Sequence, residues 1–224
     1  NNTDAKDGFS IASYSPGVRS AAYEKLAEMF LIDKNWAKAE HYALKSKEFN
    51  GMNLTADHVL MVVYRKTDRP EKAKALIESL LEDLPLYHAA RFEQLYLGEG
   101  SGHPIDDFQS LIRNELPFET YMELSEWYES VGCTEEALSL LSCVGSYPVA
   151  LYKQAYLLHR TGNEDESRQM LERVAGMSPA MVFPFRPSSL KALEWARTVR
   201  PDWKIDYYEG LIRWANQDKA KAFA

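Results

Sequence analysis

Residues 23–39 open with Tyr23-Glu24-Lys25-Leu26-Ala27-Glu28-Met29-Phe30, continue to Asn35-Trp36 and reach Ala39. Thirty-four residues later the chain offers Leu60, Tyr64, Asp68, Ala73 and Ile77, and then Pro85. Leu26 matches Leu60, Phe30 matches Tyr64 and Ala39 matches Ala73, all at that single offset. A third copy runs Tyr121, Leu124, Ser125, Tyr128, Gly132, Ala137 and Leu141; a fourth runs Ala155, Leu158, Gly162-Asn163, Ser167, Leu171 and Pro179. Self-similarity at a fixed period of this length is the signature of a repeat architecture.

The spacing has a physical reading. Apolar residues every three or four positions make each unit a pair of amphipathic helices. Small residues (Ala27, Ala39, Ala73, Ala137, Ala155) let two helix backbones approach closely, while Tyr23, Phe30, Tyr64 and Tyr128 fill the space between units. Gly132 and Gly162 fall where a first helix must stop, and glycine takes the left-handed cap without steric cost. Pro85, Pro179 and Pro201 follow second helices, where proline ends a helix. Ser15-Pro16 reads as a cap with proline at the first helical position, opening the first helix. One pair cannot bury its own apolar face, so pairs must stack.

Working outward, 86–113 reads as a degenerate unit. Leu86–Leu97 is helical in pattern, Gly98-Glu99-Gly100-Ser101-Gly102 is a loop, and Ile105–Ile112 is a short second helix. Beyond Pro179, Val182-Phe183-Pro184-Phe185-Arg186-Pro187 carries two prolines that push their predecessors to extended geometry. Phe183, Phe185 and Trp195 are expected to plug the gap left by a missing first helix. Ser188–Arg200 supplies the second helix, and Trp203–Ala215 begins another pair. Lys219-Ala220-Lys221-Ala222-Phe223 echoes Lys72-Ala73-Lys74-Ala75-Leu76.

The pattern aromatic-x2-Leu-small-x2-aromatic, followed by small, apolar and Pro, resembles the tetratricopeptide repeat over residues 19–179. That resemblance implies an all-α fold, a right-handed α-α superhelix of about 12–13 helices. The expected layout is a linker over 1–15, then repeats over 16–179 in units near 19–52, 53–86, 87–116, 117–147 and 148–180. An irregular extended segment, a helix and a partial repeat would fill 181–224. Two loop motifs are more particular: Asp83-Leu84-Pro85-Leu86-Tyr87-His88-Ala89-Ala90-Arg91-Phe92-Glu93, and Phe183-Pro184-Phe185-Arg186 followed by a helix, Pro201 and Tyr207-Tyr208. In this order, over residues 8–224, they resemble the C-terminal repeat region of large bacterial proteins in which a galactose-mutarotase-like portion precedes a tetratricopeptide array. The resemblance implies one arm of a larger polypeptide beside a carbohydrate-active module. No mutarotase-like segment is present, so that activity does not transfer to these residues.

Composition narrows the partners. Twenty-six basic residues stand against 33 acidic ones, a net charge of −7. With no basic run longer than two and no basic-aromatic stretch, the chain is a poor neutraliser of phosphates, and no nucleic-acid partner is expected. No apolar run approaches the ~20 residues that span a bilayer, so no membrane insertion is expected. The start, Asn1-Asn2-Thr3-Asp4, is polar and lacks an initiator Met; the chain reads as a fragment without its native N-terminus, expected in the cytoplasm. Cys133 and Cys143, if at the two ends of one helix, are roughly 15 Å apart, too far for a disulfide.

No arrangement carrying chemistry emerges. His41, His58, His88, His103 and His159 show no metal-ligand spacing with one another or with cysteine. No nucleophile elbow, phosphate loop or zincin helix is present. Glu71, Glu78 and Glu82 read as solvated helix faces. The chain is therefore expected not to be an enzyme, with no catalytic residue, metal or cofactor. What remains is a recognition surface. In tetratricopeptide proteins, positions 2, 5, 9, 12 and 13 of each unit line a concave groove. Carried over by register, the resemblance selects Glu24, Glu28, His58, Val62, Arg65 and Phe92, then Tyr96, Met122, Glu126, Tyr152, Tyr156 and His159. Chaperone-binding members place Lys and Asn where this chain has Glu24 and Glu28, which would repel a terminal carboxylate. The expected function is a non-catalytic protein-interaction scaffold, binding a peptide, or a domain of its own parent polypeptide, in that groove. The alternative is an accessory module of a carbohydrate-active multidomain enzyme. Uncovered solenoid ends also offer a route to homo-oligomers.

Overall fold

The computed structural model describes residues 2–98 and 104–222, and among these the chain is helical without a strand. Fourteen α-helices follow one another: α1 (Asn2–Ala12), α2 (Arg19–Ile32), α3 (Trp36–Phe49), α4 (Leu54–Lys66), α5 (Pro70–Asp83), α6 (His88–Tyr96), α7 (Pro104–Leu111), α8 (Pro117–Ser130), α9 (Thr134–Ser142), α10 (Pro148–Arg160), α11 (Glu164–Ala175), α12 (Leu190–Val199), α13 (Trp203–Ala215) and α14 (Lys219–Ala222). A 3-10 turn at Pro187–Ser189 precedes α12. The chain divides into two compact units, Asn1–Arg113 with Ser130–Gly132, and Asn114–Glu129 with Cys133–Ala224.

One turn is repeated. Two residues beyond the ends of α2, α4, α6, α8, α10 and α13 stand Lys34, Asp68, Gly98, Gly132, Gly162 and Gln217, all with φ between 54° and 84°. In five of these turns the next residue donates its N–H five positions back. Asn35 reaches the Phe30 carbonyl at 2.9 Å, Arg69 Tyr64 at 2.9 Å, Cys133 Tyr128 at 2.8 Å, Asn163 Leu158 at 2.9 Å and Asp218 Arg213 at 2.9 Å. This is the Schellman closure, which satisfies carbonyls a helix end would leave bare. Asn35 then caps α3 by accepting the Lys38 N–H, and Asn53 caps α4 by accepting the Ala56 N–H.

The small residues of the repeat are interior. Ala27, Ala39, Ala73, Ala137 and Ala155 are all buried. In the first unit each helix from α1 to α6 packs on its successor, and α2 also packs on α4 and α4 on α6. Where α2 and α3 meet, Ser20 Oγ donates to the Ser46 carbonyl at 3.0 Å and Ser46 Oγ to the Ser20 carbonyl at 2.8 Å. In the second unit Ser167 Oγ on α11 donates to the Ala155 carbonyl on α10 at 2.8 Å. A core of Val149, Tyr152, Leu171, Leu193, Tyr208 and Ile212, with neighbours, joins α10, α11, α12 and α13.

Several expectations are corrected. The stretch read as a linker, 1–15, is helical over Asn2–Ala12, which together with α14 raises the count above 12–13. Ser15-Pro16 does not open a helix: the chain turns there, with Val18 N–H on the Ser15 carbonyl, and α2 begins at Arg19. Phe183 and Phe185 do not plug a gap; they are 62% and 48% exposed. Extended backbone alternates its faces, so Val182 and Pro184 point inward and the two rings outward. Cys133 and Cys143 are thiols at the N-cap and C-cap of α9. Most of the 98–102 loop, His103 and Phe223 lie outside the described residues.

The left-handed turns make a paired prediction. A Cβ at Gly162 meets nothing within 4 Å, so Gly162→Ala is opposed by φ alone; it should destabilise the chain by about 1–2 kcal/mol. Lys34→Gly, at φ 56°, should be neutral or stabilising in the same urea titration. Equal losses from both substitutions would show that the turn is not the source of the effect.

Candidate functional site

Each unit holds part of the residue set expected at a groove. In the first, Glu24 and Glu28 stand one turn apart on α2 and share Lys25, whose ammonium lies 3.1 Å from Glu24 Oε1 and 2.7 Å from Glu28 Oε2. Glu24 also accepts from Asn53 Nδ2 at 2.9 Å. It borders an open cleft of about 560 Å³ whose lining includes Ser20, Phe49, Met52 and Asn53.

Farther along, α4 and α6 bring His58, Arg65, Phe92 and Tyr96 together. Arg65 Nε and Nη2 donate to Glu93 Oε2 at 2.6 Å and Oε1 at 2.9 Å. The guanidinium lies 4.3 Å from the Tyr96 ring centre, so one arginine serves a bidentate ion pair and a cation-π contact together. Phe92 is buried, edge-on to Tyr96 at 5.4 Å and 5.5 Å from Phe108. Val62 is buried as well. Tyr96, 41% exposed, is the member that solvent reaches most readily. His58 is buried; burial first, and the Arg65 charge second, lower its pKa to about 3. Nearby Asp57, also buried, binds Lys47 at 2.6 Å, yet desolvation outweighs that cation and raises its pKa.

In the second unit Met122, Glu126, Tyr152, Tyr156 and His159 lie on α8 and α10. Met122 and Tyr152 are buried, Tyr152 against Tyr208 at 6.3 Å between ring centres; burial pushes the Tyr152 hydroxyl well above the ordinary phenol range. Tyr156 and His159 both meet Trp195, at 5.7 Å and 4.9 Å, the imidazole nearly parallel to the indole. His159 Nδ1 is 2.7 Å from Glu164 Oε1. His58, Val62, Phe92, Met122 and Tyr152 are thus interior residues; Tyr96 is exposed, and Glu24, Glu28, Arg65, Glu126, Tyr156 and His159 are partly exposed.

Charged residues absent from the sequence-derived set complete the picture. Glu93 is buried under Arg65. Lys153, 1% exposed, stands 3.1 Å from Glu129 Oε2 and 3.8 Å from Glu126 Oε1. Arg186 reaches Glu119 and Glu126. Helical phase gives a partial signal: Glu119, Met122, Glu126 and Glu129 share one stripe of α8, and Lys153, Tyr156 and Arg160 one stripe of α10. Among the described residues no group of three or more His, Cys, Asp or Glu side chains is arranged to hold a metal ion, and no helix is long and apolar enough to cross a membrane.

Two outcomes follow from the buried charges. The folded chain keeps His58 neutral, so its contribution is complete above pH 6.5 and is lost as pH falls from 6.5 towards 3. The loss should run at up to about 1.4 kcal/mol per pH unit. His58→Gln should flatten the fall in urea midpoint between pH 7 and pH 5; an unaltered pH dependence would contradict this. Arg65→Ala strands the Glu93 carboxylate and should cost about 3–5 kcal/mol, with Glu93→Gln on top recovering part of it in the same denaturation assay.

Neither a protein-family model nor a curated protein sequence matches the chain.

Proposed function

We propose that the chain is a tetratricopeptide-like helical solenoid that acts as a non-catalytic scaffold, holding a peptide or a neighbouring protein domain against its first helices. The observation that carries this reading is the recurrent left-handed turn closing α2, α4, α6, α8, α10 and α13, with the five-back hydrogen bond in five of the six. Identical hairpin turns, buried alanines 34 residues apart and the packing of every second helix, α2 on α4 and α4 on α6, are what a stack of helix pairs requires. In such a stack the first helices of each unit line a groove face; Arg65–Glu93 holds polar side chains in place in the first unit and the carboxylates of α8 do so in the second.

Tyr96 and Tyr156 are the anchors this reading assigns. A ring backed by a guanidinium, Arg65 for Tyr96 and Arg160 for Tyr156, offers apolar area with little side-chain entropy to lose. The partner is a protein, including a domain of the chain's own parent polypeptide. Neither membrane nor nucleic acid is assigned, and self-association through the stack's ends is a secondary route.

One observation favours a second reading, an accessory module of a carbohydrate-active multidomain enzyme that orients the catalytic part or contacts glycan. Trp203, Tyr207 and Trp214 are exposed on α13 at spacings that share a face, and flat exposed rings suit stacking on sugars.

Affinity capture from native lysate separates the two. The scaffold reading expects a saturable protein partner whose recovery falls at least fivefold with Tyr96→Ala or Tyr156→Ala and is unchanged by Trp203→Ala. Recovery indifferent to both tyrosines would count against the groove. Binding on a glycan array, abolished by Trp203→Ala, would favour the accessory reading.

A further inference from the structure

The segment 181–188, extended over 182–186 and entering the 3-10 turn at Pro187–Ser189, is attached in an uneven way. Val182 and Pro184 are buried, but its largest side chains, Phe183 and Phe185, face solvent. What ties its end to α8 is polar. Arg186 Nε and Nη2 donate to Glu119 Oε2 at 3.0 and 2.9 Å, and Nη1 to Glu126 Oε2 at 3.4 Å. Ser188 Oγ donates to Glu126 Oε1 at 2.6 Å. Alongside, Lys153 is fully buried, and its ammonium has no acceptor in hydrogen-bonding geometry although two carboxylates lie within 4 Å.

A buried amine with unused donors calls for a reason, since native interiors pair such groups. The charge balance supplies one. Glu119, Glu126 and Glu129 are offset by Lys153, Arg160 and Arg186. Take Arg186 away and three negative charges face two positive ones. Glu119 then loses the arginine that neutralises it and Glu126 one of its cations; with Ser188 also gone, Glu126 loses its hydroxyl donor as well. The α8 face is built to receive one guanidinium from the end of an extended stretch and one hydroxyl from the 3-10 turn that follows it.

We infer that α8 and α10 form a recognition site for a peptide carrying an arginine followed two positions later by a hydroxyl residue in a turn, and that Arg186-Pro187-Ser188 occupies this site in cis. The inference rests on the scaffold reading and gives its groove a ligand class and a built-in competitor. Exchange does not require unfolding. Val182, Pro184 and Ser189 stay buried while the Arg186 and Ser188 side chains rotate away; Arg186 and its two carboxylates are already 19–24% exposed. The incoming backbone would also bring carbonyls within reach of the unused Lys153 donors.

The test is trans-complementation with the full chain. The probe is a fluorescein-labelled, end-blocked peptide copying residues 183–188, followed by fluorescence anisotropy at low salt. The Arg186→Ala/Ser188→Ala chain should bind it at least tenfold more tightly than the unsubstituted chain. Adding Glu119→Gln and Glu126→Gln, or replacing the peptide's arginine by alanine, should abolish the gain. Circular dichroism and thermal melting check folding; should the double substitution unfold the chain, Arg186→Gln, which keeps length and loses charge, takes its place. A folded variant that binds the peptide no better than the unsubstituted chain overturns the inference, as does a gain that survives the glutamine substitutions. That result leaves lysate capture through Tyr96 standing, whereas peptide binding without any lysate partner would sink the scaffold reading alone.

Discussion

The close approach of helix backbones at small side chains governs everything else in this molecule. Ser20 and Ser46 exchange hydroxyl-to-carbonyl hydrogen bonds across α2 and α3, and Ser167 reaches the Ala155 carbonyl across α10 and α11. Such bonds form only where no larger side chain separates the backbones. At Gly210 the margin is gone: a Cβ there would sit 3.0 Å from the Ala222 carbonyl of α14. Once two helices touch at a fixed point, their rotation about their axes is fixed too. That rotation decides which residues point inward, which pack on the next pair and which are left for partners.

The same constraint explains the charged interior. When α4 and α6 pack together, Arg65 is largely and Glu93 almost wholly withdrawn from solvent. Desolvating such a pair costs about as much as its attraction returns, so the pair adds little net stability. Its effect is geometric. A bidentate guanidinium permits one orientation of α6 against α4, and it positions the Tyr96 ring as a consequence.

How much of this was legible in the sequence depends on the range of the forces involved. Helices α2 to α5, α8 to α11 and α13 follow from apolar period and from turns within about five residues, and Gly132 and Gly162 mark their turns directly. Lys34, Asp68 and Gln217 adopt the same left-handed geometry without the glycine that would announce it, each followed by the same five-back hydrogen bond. The helix over Asn2–Ala12 was missed because it is polar, contains Gly8 and buries no residue of its own; its packing on α2 is its support. Glu93 and Lys153 were missed because a charged residue reads as solvent-facing in any hydrophobic pattern. Their partners lie 28 and 24 residues away for Arg65 and Glu129, and no local rule reports a pairing at that distance.

The segment 178–186 is the instructive case, because a helix satisfies its own backbone and an extended strand does not. Here α13 does that work from both ends. Lys204, in its first turn, donates to the carbonyls of Ala175 and Met177 at 2.5 and 2.9 Å, and Asn216, at its C-cap, donates to the Phe185 carbonyl at 2.7 Å. The two contacts are twelve residues apart, roughly 18 Å along a helix, so α13 acts as a brace spanning the segment. Phe185 is therefore tied through its carbonyl to a helix whose own inner face, Ile205, Tyr208 and Ile212, is locked into the core of the second unit. An extended segment braced in this way has lost its freedom before any partner arrives. Pre-ordering of that kind reduces the entropy that exposed rings such as Phe183 and Phe185 would otherwise lose on any contact.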